Sequence, residues 1–413
     1  MFINNKFWLK ISIINLLLVA VLGLLMRYKI GFEFPFLDQK HLQHSHSHFA
    51  FSGWISHTLM VLMIGFLEKR INITDTQFIK KYNFLLIANL ICSYGMLISF
   101  ILQGYGLISI LFSTFSIVIA CVFTYLYFKD LKLISEEDLS KNWFKASLFF
   151  NVLSSLGTFA LAYMMVSKNI QQNEYLSSIY FYLHFQYNGW FFFACMGLLI
   201  SFLQLKKAEN LFFNKTFWLF FVSCIPAYFL STLWLKLPTW IYVLTLLSAL
   251  VQTITWFKFL YVIIKLKNNF LEKYPLVLRY ILFFVGVALS LKFILQLGST
   301  IPALSQLAFG FRPIVIAYLH LVLLAIISLF LLFYIYANEL ITFNKQIKNG
   351  IIIFSVGVLL NEIILAIQGI ASFSYTLIPF VNEMLFGAAI ILVSGIGITA
   401  FYSLKKVKNI PKL

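Results

Sequence analysis

The chain has 413 residues, of which 61% are hydrophobic and only 11% are charged, and its mean hydropathy is +0.91. Soluble domains carry roughly 25% charged residues, so this composition excludes a soluble globular protein and predicts an integral membrane protein. The formal net charge of +17 would also fit a nucleic-acid-binding protein, but the positions of the basic residues argue against that class.

About twelve apolar stretches are long enough to cross a bilayer, which takes about 20 residues. Short polar breaks separate them, and no low-complexity segment interrupts the series. The first stretch lacks a signal-peptide cleavage site, so we expect it to remain as the first span. The sequence therefore predicts an all-α polytopic protein with a single transmembrane domain over residues 1–413. The predicted spans are 8–27, 46–67, 83–103, 107–128, 146–166, 177–204, 216–234, 239–264, 279–298, 313–337, 350–370 and 382–404.

The basic residues sort by side of the membrane. If the N-terminus is inside, the inner breaks carry Lys69, Arg70, Lys80, Lys81, Lys129 to Lys145, Lys206 to Lys215, Lys265 to Arg279, Lys345, Lys348 and Lys405 to Lys412. The outer breaks carry only Arg27, Lys29, Lys40, Lys168, Lys236 and Arg312, with Lys292 nearby. This asymmetry predicts cytoplasmic N- and C-termini. We expect a multi-pass protein of a bacterial inner membrane that contacts anionic lipid and binds no nucleic acid.

Histidine is the most informative residue type. Five of the seven histidines lie in the run HLQHSHSHFAFSGWISH, residues 41–57, where span two begins, and the others are His184 in span six and His320 in span ten. His48, His184 and His320 each follow a charged outer residue by eight to ten positions, which corresponds to a depth of about 12–15 Å. Three imidazoles at one depth on three spans predict a cofactor held within the bundle.

Helical geometry separates the clustered histidines, provided that the helix has already begun there. His44 and His48 are four residues apart and share a face, whereas His46 lies about 200° from His48 and points elsewhere. His41 and His44 also fit a role as hydrated residues at the membrane interface. For His48, His57, His184 and His320 the structural alternative is a buried histidine bonded to a neighbouring helix.

Neutral imidazole is the commonest metal ligand and the usual axial ligand of haem. Two imidazoles on facing helices, one on each side of a porphyrin, would give a low-spin haem, and a third could serve copper. Intramembrane ionisable residues are costly and therefore indicate function.

Three segments resemble a known superfamily. Span two, HSHFAFSGWISHTLMVLMIGF, resembles the His-x-His and Gly-Trp helices of the catalytic subunits of haem-copper oxidases and nitric oxide reductases. It is also similar to the signature of the NnrS group of haem- and copper-containing membrane proteins. Span six, YLHFQYNGWFFFACMG, and span ten, RPIVIAYLHLVLLA, resemble the metal-binding helices of the same superfamily.

The resemblance implies a role for each matching histidine. His48 would be the span-two ligand of a low-spin haem b, with His46 as the competing choice, and His320 would be the ligand from span ten. His184 would stand at the copper-ligand position. Span seven, TFWLFFVSCIPAYFLSTLW, has no His-His pair, so two copper ligands are absent unless residues such as His44 or His57 replace them.

These departures argue against oxygen reduction. The resemblance then implies a haem b protein for electron transfer, or for sensing or handling nitric oxide or oxygen. Its expected partners are a small gas and a respiratory electron donor. If it is an enzyme, we expect an oxidoreductase of the oxidase or nitric oxide reductase type.

Two further polar residues add to this interpretation. Arg312 at the outer entry of span ten suits a haem propionate, or it serves as an interfacial anchor. Glu362, next to Asn361 midway along span eleven, indicates either a proton path or an interhelical hydrogen bond.

Two other classes stay open. A transporter would use the His-rich outer entry to capture a metal ion, and a cofactor-free scaffold would use the histidines only for hydrogen bonding. Stoichiometric haem would favour the haem protein, and metal-dependent flux in liposomes would favour the transporter.

Overall fold

The computed structural model describes residues 4–71, 76–205, 210–266 and 270–405, and this part of the chain is helical without any strand. Eleven helices are long and apolar enough to span a membrane, and a bent pair brings the number to twelve. They are α1 (Asn5–Gly31), α2 (Gln39–Ile71), α3 (Gln77–Gln103), α4 (Leu107–Leu131), α5 (Ser140–Val166), α6 (Gln172–Leu203), α7 (Leu211–Cys224 and Pro226–Thr232), α8 (Thr239–Lys265), α9 (Leu276–Gly298), α10 (Arg312–Ala337), α11 (Lys345–Phe373) and α12 (Val381–Leu404).

The predicted all-α polytopic fold is therefore confirmed. Counted as twelve crossings, the helices bring the start of α1 and the end of α12 to one end of the bundle. We call the opposite end, which holds the loop at 32–38 and the turn at 104–106, the distal end; the charge pattern predicts that it faces outward. Lys206, Lys207 and the tail beyond Lys405, which contribute to that prediction, lie outside the described residues.

Helix α2 begins seven residues earlier than the sequence predicts, because Asp38 caps it. The Asp38 carboxylate accepts hydrogen bonds from the backbone N–H groups of His41 (2.9 Å) and Lys40 (2.8 Å). These bonds, chiefly that from His41, lower the pKa of Asp38 below its usual value. Because of this cap, all five clustered histidines lie on a formed helix. The predicted facing of His44, His46 and His48 required such a helix.

Helix α7 is broken. Its two parts, Leu211–Cys224 and Pro226–Thr232, meet at 45°, and the second is a 3₁₀ helix with Pro226 at its start. Proline lacks the N–H that a continuing helix needs. The predicted seventh span is therefore a bent pair whose break follows Cys224 directly.

Helices α2, α6 and α10 form the centre of the bundle. In both α2 and α6, 83% of the most apolar window is buried, against 11% in the peripheral α4. Each central helix contains a π-helical segment that starts within two residues of a histidine: Ala50–Ser56 after His48, Phe185–Phe191 after His184, and Leu321–Ser328 after His320. Such segments are rare and occur frequently at functional sites.

Two indole hydrogen bonds join these central helices. Trp54 Nε1 in α2 donates to Ser328 Oγ in α10 at 2.8 Å, and Trp190 Nε1 in α6 donates to Ser56 Oγ in α2 at 3.1 Å. Both tryptophans are fully buried. A buried N–H without an acceptor would be costly in this apolar interior, so these bonds favour one arrangement of the three helices.

Helices α11 and α12 pack with their backbones in contact. A Cβ atom on Gly395 would overlap the backbone nitrogen of Phe354, and one on Gly357 would lie 2.9 Å from the nitrogen of Leu392. Small residues permit this close approach between membrane helices. Helix α12 also packs on α1, so the first and last spans are neighbours.

Three ion pairs lie at the end of the bundle opposite the distal end. Lys81 pairs with Asp130 at 2.6 Å, Arg70 with Asp138 at 2.9 Å, and Lys141 with Glu136 at 2.6 Å. The Lys141 partner lowers the pKa of Glu136. These three carboxylates neutralise part of the positive charge on the side that the sequence predicts to be cytoplasmic.

Candidate cofactor site

His46 lies between α2 and α1, near the distal end. Its Nδ1 is 3.1 Å from the carbonyl oxygen of Val19, and a Cβ on Gly23 would lie 3.5 Å from its Cε1. A carbonyl only accepts, so Nδ1 carries the proton and donates. Nε2 then keeps its lone pair, and no hydrogen bond to it occurs in the described chain.

His320 on α10 has the same tautomer as His46. Its Nδ1 donates to the carbonyl oxygen of Ile316, one turn earlier, at 2.9 Å, which leaves Nε2 with its lone pair. His46 and His320 lie on helices that are joined before and after them in the sequence: Arg312 of α10 donates to Gln43 of α2, and Trp54 of α2 donates to Ser328 of α10. Metal-binding histidines typically donate their second ring nitrogen to a carbonyl or carboxylate in this manner.

Arg27 on α1 is a site residue that the sequence analysis treated only as a charge in an outer loop. It interacts electrostatically with both His46 and His320. No carboxylate pairs with its guanidinium in the part of the chain that the structure describes. In the sequence, Arg27 follows Gly23 by four residues, which places both on one face of a helix. This spacing was the signal that could have identified Arg27 as a neighbour of the His46 ring. Arg312 lies at the start of α10 and donates to Gln43 Oε1 at 2.9 Å.

His44 and His48 share a face, as predicted, and this face is directed at the α3–α4 turn. His48 Nε2 is 3.0 Å from the Tyr105 hydroxyl, and its ring stacks on Phe100 with centroids 4.4 Å apart. The His44 ring contacts Tyr105 edge-on at 4.6 Å. Of the two candidate span-two ligands, His48 faces α3 and its Nε2 contacts Tyr105, whereas His46 faces α1 and its Nε2 keeps a lone pair.

The turn that receives these rings depends on glycine. Gly104 has a φ of +60°, and a Cβ there would lie 2.6 Å from Cδ2 of the His41 ring. Positive φ and close ring contact both favour glycine. The His41 ring thus packs against this turn.

His184 uses both ring nitrogens inside the protein. Nε2 donates to the Cys224 carbonyl at 2.9 Å, and Nδ1 accepts from Asn188 Nδ2 at 3.1 Å. The carbonyl requires a proton on Nε2, so the remaining lone pair is the one that Asn188 occupies. A copper ion would have to displace one of these bonds.

His57 is fully buried in the α1–α3 interface. Asn89 Nδ2 lies 3.4 Å from its Nδ1, Trp8 packs edge-on at 5.7 Å, and Nε2 has no hydrogen-bond partner among the described residues. The three predicted copper candidates, His44, His57 and His184, thus lie in three different environments. Among the described residues, no group of three or more His, Cys, Asp or Glu side chains is arranged to hold a metal ion.

Glu362 and Asn361 contact each other. Asn361 Nδ2 donates to Glu362 Oε1 at 3.3 Å, and Asn361 is buried. The contact lies within α11 and connects to no further titratable group by a hydrogen bond in the described chain. Asn361 is thus a polar partner for the Glu362 carboxyl within the same helix.

Comparison with known proteins adds no family to this geometry. No protein-family model matches the chain, and no curated protein matches it. The resemblance of spans two, six and ten to a known superfamily therefore rests only on the short motifs in those spans.

Proposed function

We propose that the protein is a membrane haem b protein in which His46 and His320 are the two axial ligands. The proposal is supported by a hydrogen bond that both residues make. Each Nδ1 donates to a backbone carbonyl, so each Nε2 keeps a free lone pair. Neutral imidazole with a fixed tautomer is the form that binds iron. The two rings belong to different helices, α2 and α10, which the Trp54–Ser328 hydrogen bond joins.

The Arg27 guanidinium would also help to bind a haem. A haem brings two propionates, and a guanidinium without a carboxylate partner beside both histidines suits one of them. Arg312, at the distal start of α10, is a candidate for the second, although Gln43 already accepts one of its hydrogen bonds. Gly23 leaves room for the His46 ring at ordinary contact distance.

The bound haem would supply one-electron chemistry. The protein residues would hold and orient it: Val19 and Ile316 fix the two imidazole tautomers through their carbonyls. Because His46 and His320 would both hold the haem iron, we propose electron transfer within a respiratory membrane as the primary role. Nitric oxide or oxygen would need to displace a histidine.

Copper does not enter the proposal. Both ring nitrogens of His184 have partners within the protein, and the other two candidate ligands lie elsewhere. The orientation in a bacterial inner membrane, with cytoplasmic termini and an outward distal end, follows from the charge pattern.

Haem content of matched variants tests the proposal. The protein would be expressed in a haem-sufficient host and purified in mild detergent, and haem would be quantified per chain with a reduced-minus-oxidised spectrum. We expect one low-spin haem b in the wild type and its loss in His46→Ala and in His320→Ala. His48→Ala is the matched control, since it removes an imidazole two residues away and should retain haem.

Two results would overturn the assignment. Haem loss in His48→Ala but not in His46→Ala would move the ligand to the other face of α2. Absence of haem from the correctly folded wild type would refute the haem protein altogether. Metal-dependent flux in liposomes would then favour the transporter.

A further inference from the structure

A lysine lies inside the bundle without an anionic partner. Lys292 on α9 is 3% exposed, and its ammonium lies 4.2 Å from the Phe293 ring centroid and 5.5 Å from that of Phe192. Within the described chain, Nζ forms no ion pair or hydrogen bond. A buried cation in a membrane interior is expensive and indicates function.

A small cavity adjoins Lys292. Its volume is about 10 Å³, and its polar lining consists of Lys292, Asn188, Cys224 and Gln252, with phenylalanine rings around them. A volume of roughly 10–15 Å³ on this scale holds one water molecule. The cavity therefore fits a ligand of water size, provided that the ligand has polar partners.

The hydrogen bonds around His184 determine what Asn188 presents to this cavity. The Cys224 carbonyl fixes the proton on His184 Nε2, so His184 Nδ1 accepts and Asn188 must donate through Nδ2. Asn188 Oδ1 is left without a donor, although the residue is only 6% exposed. A ligand in the cavity must therefore donate to Asn188 and accept from Lys292, which water does.

A second buried oxygen lies on the distal side of Lys292. Gln296 is four residues further along α9, on the same face, and is 7% exposed. Its Oε1 also has no partner. One unsatisfied oxygen therefore lines the cavity beside Lys292, and a second lies one turn further along α9 toward the distal end. Buried polar atoms without a protein partner are typical positions for bound water.

We propose that Lys292 is a proton-binding site inside the bundle, linked by one cavity water to Asn188 and by a hydrated passage along Gln296 to the distal surface. On proton uptake, an N–H bond forms at Nζ and an O–H bond of the neighbouring hydronium breaks. The titratable groups that face the site are His184 from α6 and Cys224 from α7, and α8 contributes the neutral Gln252. The site is separate from the His46–His320 pair and does not depend on haem.

Nitrogen NMR of the lysine side chains tests the proposal directly. The protein, labelled with ¹⁵N at lysine Nζ, would be studied in phosphatidylcholine bilayers with polarisation transfer from water. Lys292→Met assigns the signal by difference. We expect the Lys292 signal to receive magnetisation from water and to change between its ammonium and amine positions as the pH is varied. Asn188→Leu should remove most of the water transfer, and Gln296→Leu should slow proton exchange with the bulk.

Lys141 supplies the matched control. It is equally buried, but its ammonium donates to the Ile134 carbonyl and to Glu136, so Lys141→Met identifies a buried lysine that the protein itself satisfies. If Lys292→Met fails to fold, the signal shifted by Asn188→Leu provides the assignment. A Lys292 signal without water transfer would overturn the proposal, as would one that does not change with pH. Proton exchange unaffected by Gln296→Leu would refute the distal passage.

Discussion

The contact between α11 and α12 gives a sharp test of the packing, because α12 carries two glycines with opposite surroundings. A Cβ on Gly395 would overlap the Phe354 nitrogen and lie 2.7 Å from the Phe354 Cα, whereas a Cβ on Gly387 would meet nothing within 4 Å. Gly395→Ala must therefore push the two helices apart by about 1 Å to restore contacts near 3.5 Å. Gly387→Ala requires no movement.

The difference between these two variants isolates the packing cost. Both replacements gain the same helix propensity, up to about 1 kcal/mol, so it cancels in the comparison. Overpacking costs about 1–3 kcal/mol. We expect Gly395→Ala to be less stable than Gly387→Ala by roughly that amount, and Gly387→Ala to be at least as stable as the wild type.

Unfolding of both purified variants by increasing SDS in the same mixed micelles would measure these free energies, with loss of helical circular dichroism as the signal. Equal stability of the two variants would show that the backbones of α11 and α12 are not in contact at Gly395. A Gly395→Ala protein more stable than the wild type would refute the packing argument outright.

Three further predictions concern the site and its approach. Gly23→Leu should displace the His46 ring and reduce the haem bound per chain, whereas Gly23→Ala, whose Cβ meets that ring at 3.5 Å, should retain it; equal haem content in the two would contradict the contact. Since the pKa of Asp38 is lowered, its cap stabilises α2 above about pH 4 and loses this effect as the pH falls further. The melting-temperature difference between wild type and Asp38→Ala should thus be constant from pH 6 to 8 and shrink in acid, and a difference that grows in acid would reverse the assigned sign. The reduced wild type should not bind carbon monoxide, because the proposed ligands His46 and His320 would leave the haem iron no free position, but a His320→Ala protein that retains haem should bind it; rapid binding to the wild type would favour a gas-handling role.

Much of the fold could be predicted from composition and hydropathy alone. The twelve apolar stretches matched the observed spans because membrane helices require long apolar segments. The relative facing of His44, His46 and His48 was also predicted, since Asp38 caps α2 before the cluster begins and regular helical spacing then applies. The break in α7 was missed as a break, although Pro226 was its visible signal.

The features of the site that could not be predicted from the sequence depend on contacts between helices that are distant in the chain. Nothing local reveals that His46 lies against Val19 of α1 while His48 lies against α3, so the choice between them needed tertiary structure. The partners that occupy both nitrogens of His184 come partly from α7, 40 residues away. Lys292 looked like an ordinary residue near a loop, and only the packing of α6 to α9 reveals its burial.

The central claim is that His46 and His320 ligate a haem, and the electron paramagnetic resonance spectrum of the oxidised purified protein tests it most directly. The account predicts a low-spin ferric signal from two imidazole ligands in the wild type and in His48→Ala. In any haem-retaining His46→Ala protein, a high-spin signal should replace it. A low-spin signal that survives His46→Ala but disappears in His48→Ala would contradict the account, as would a folded wild-type protein that has no haem signal.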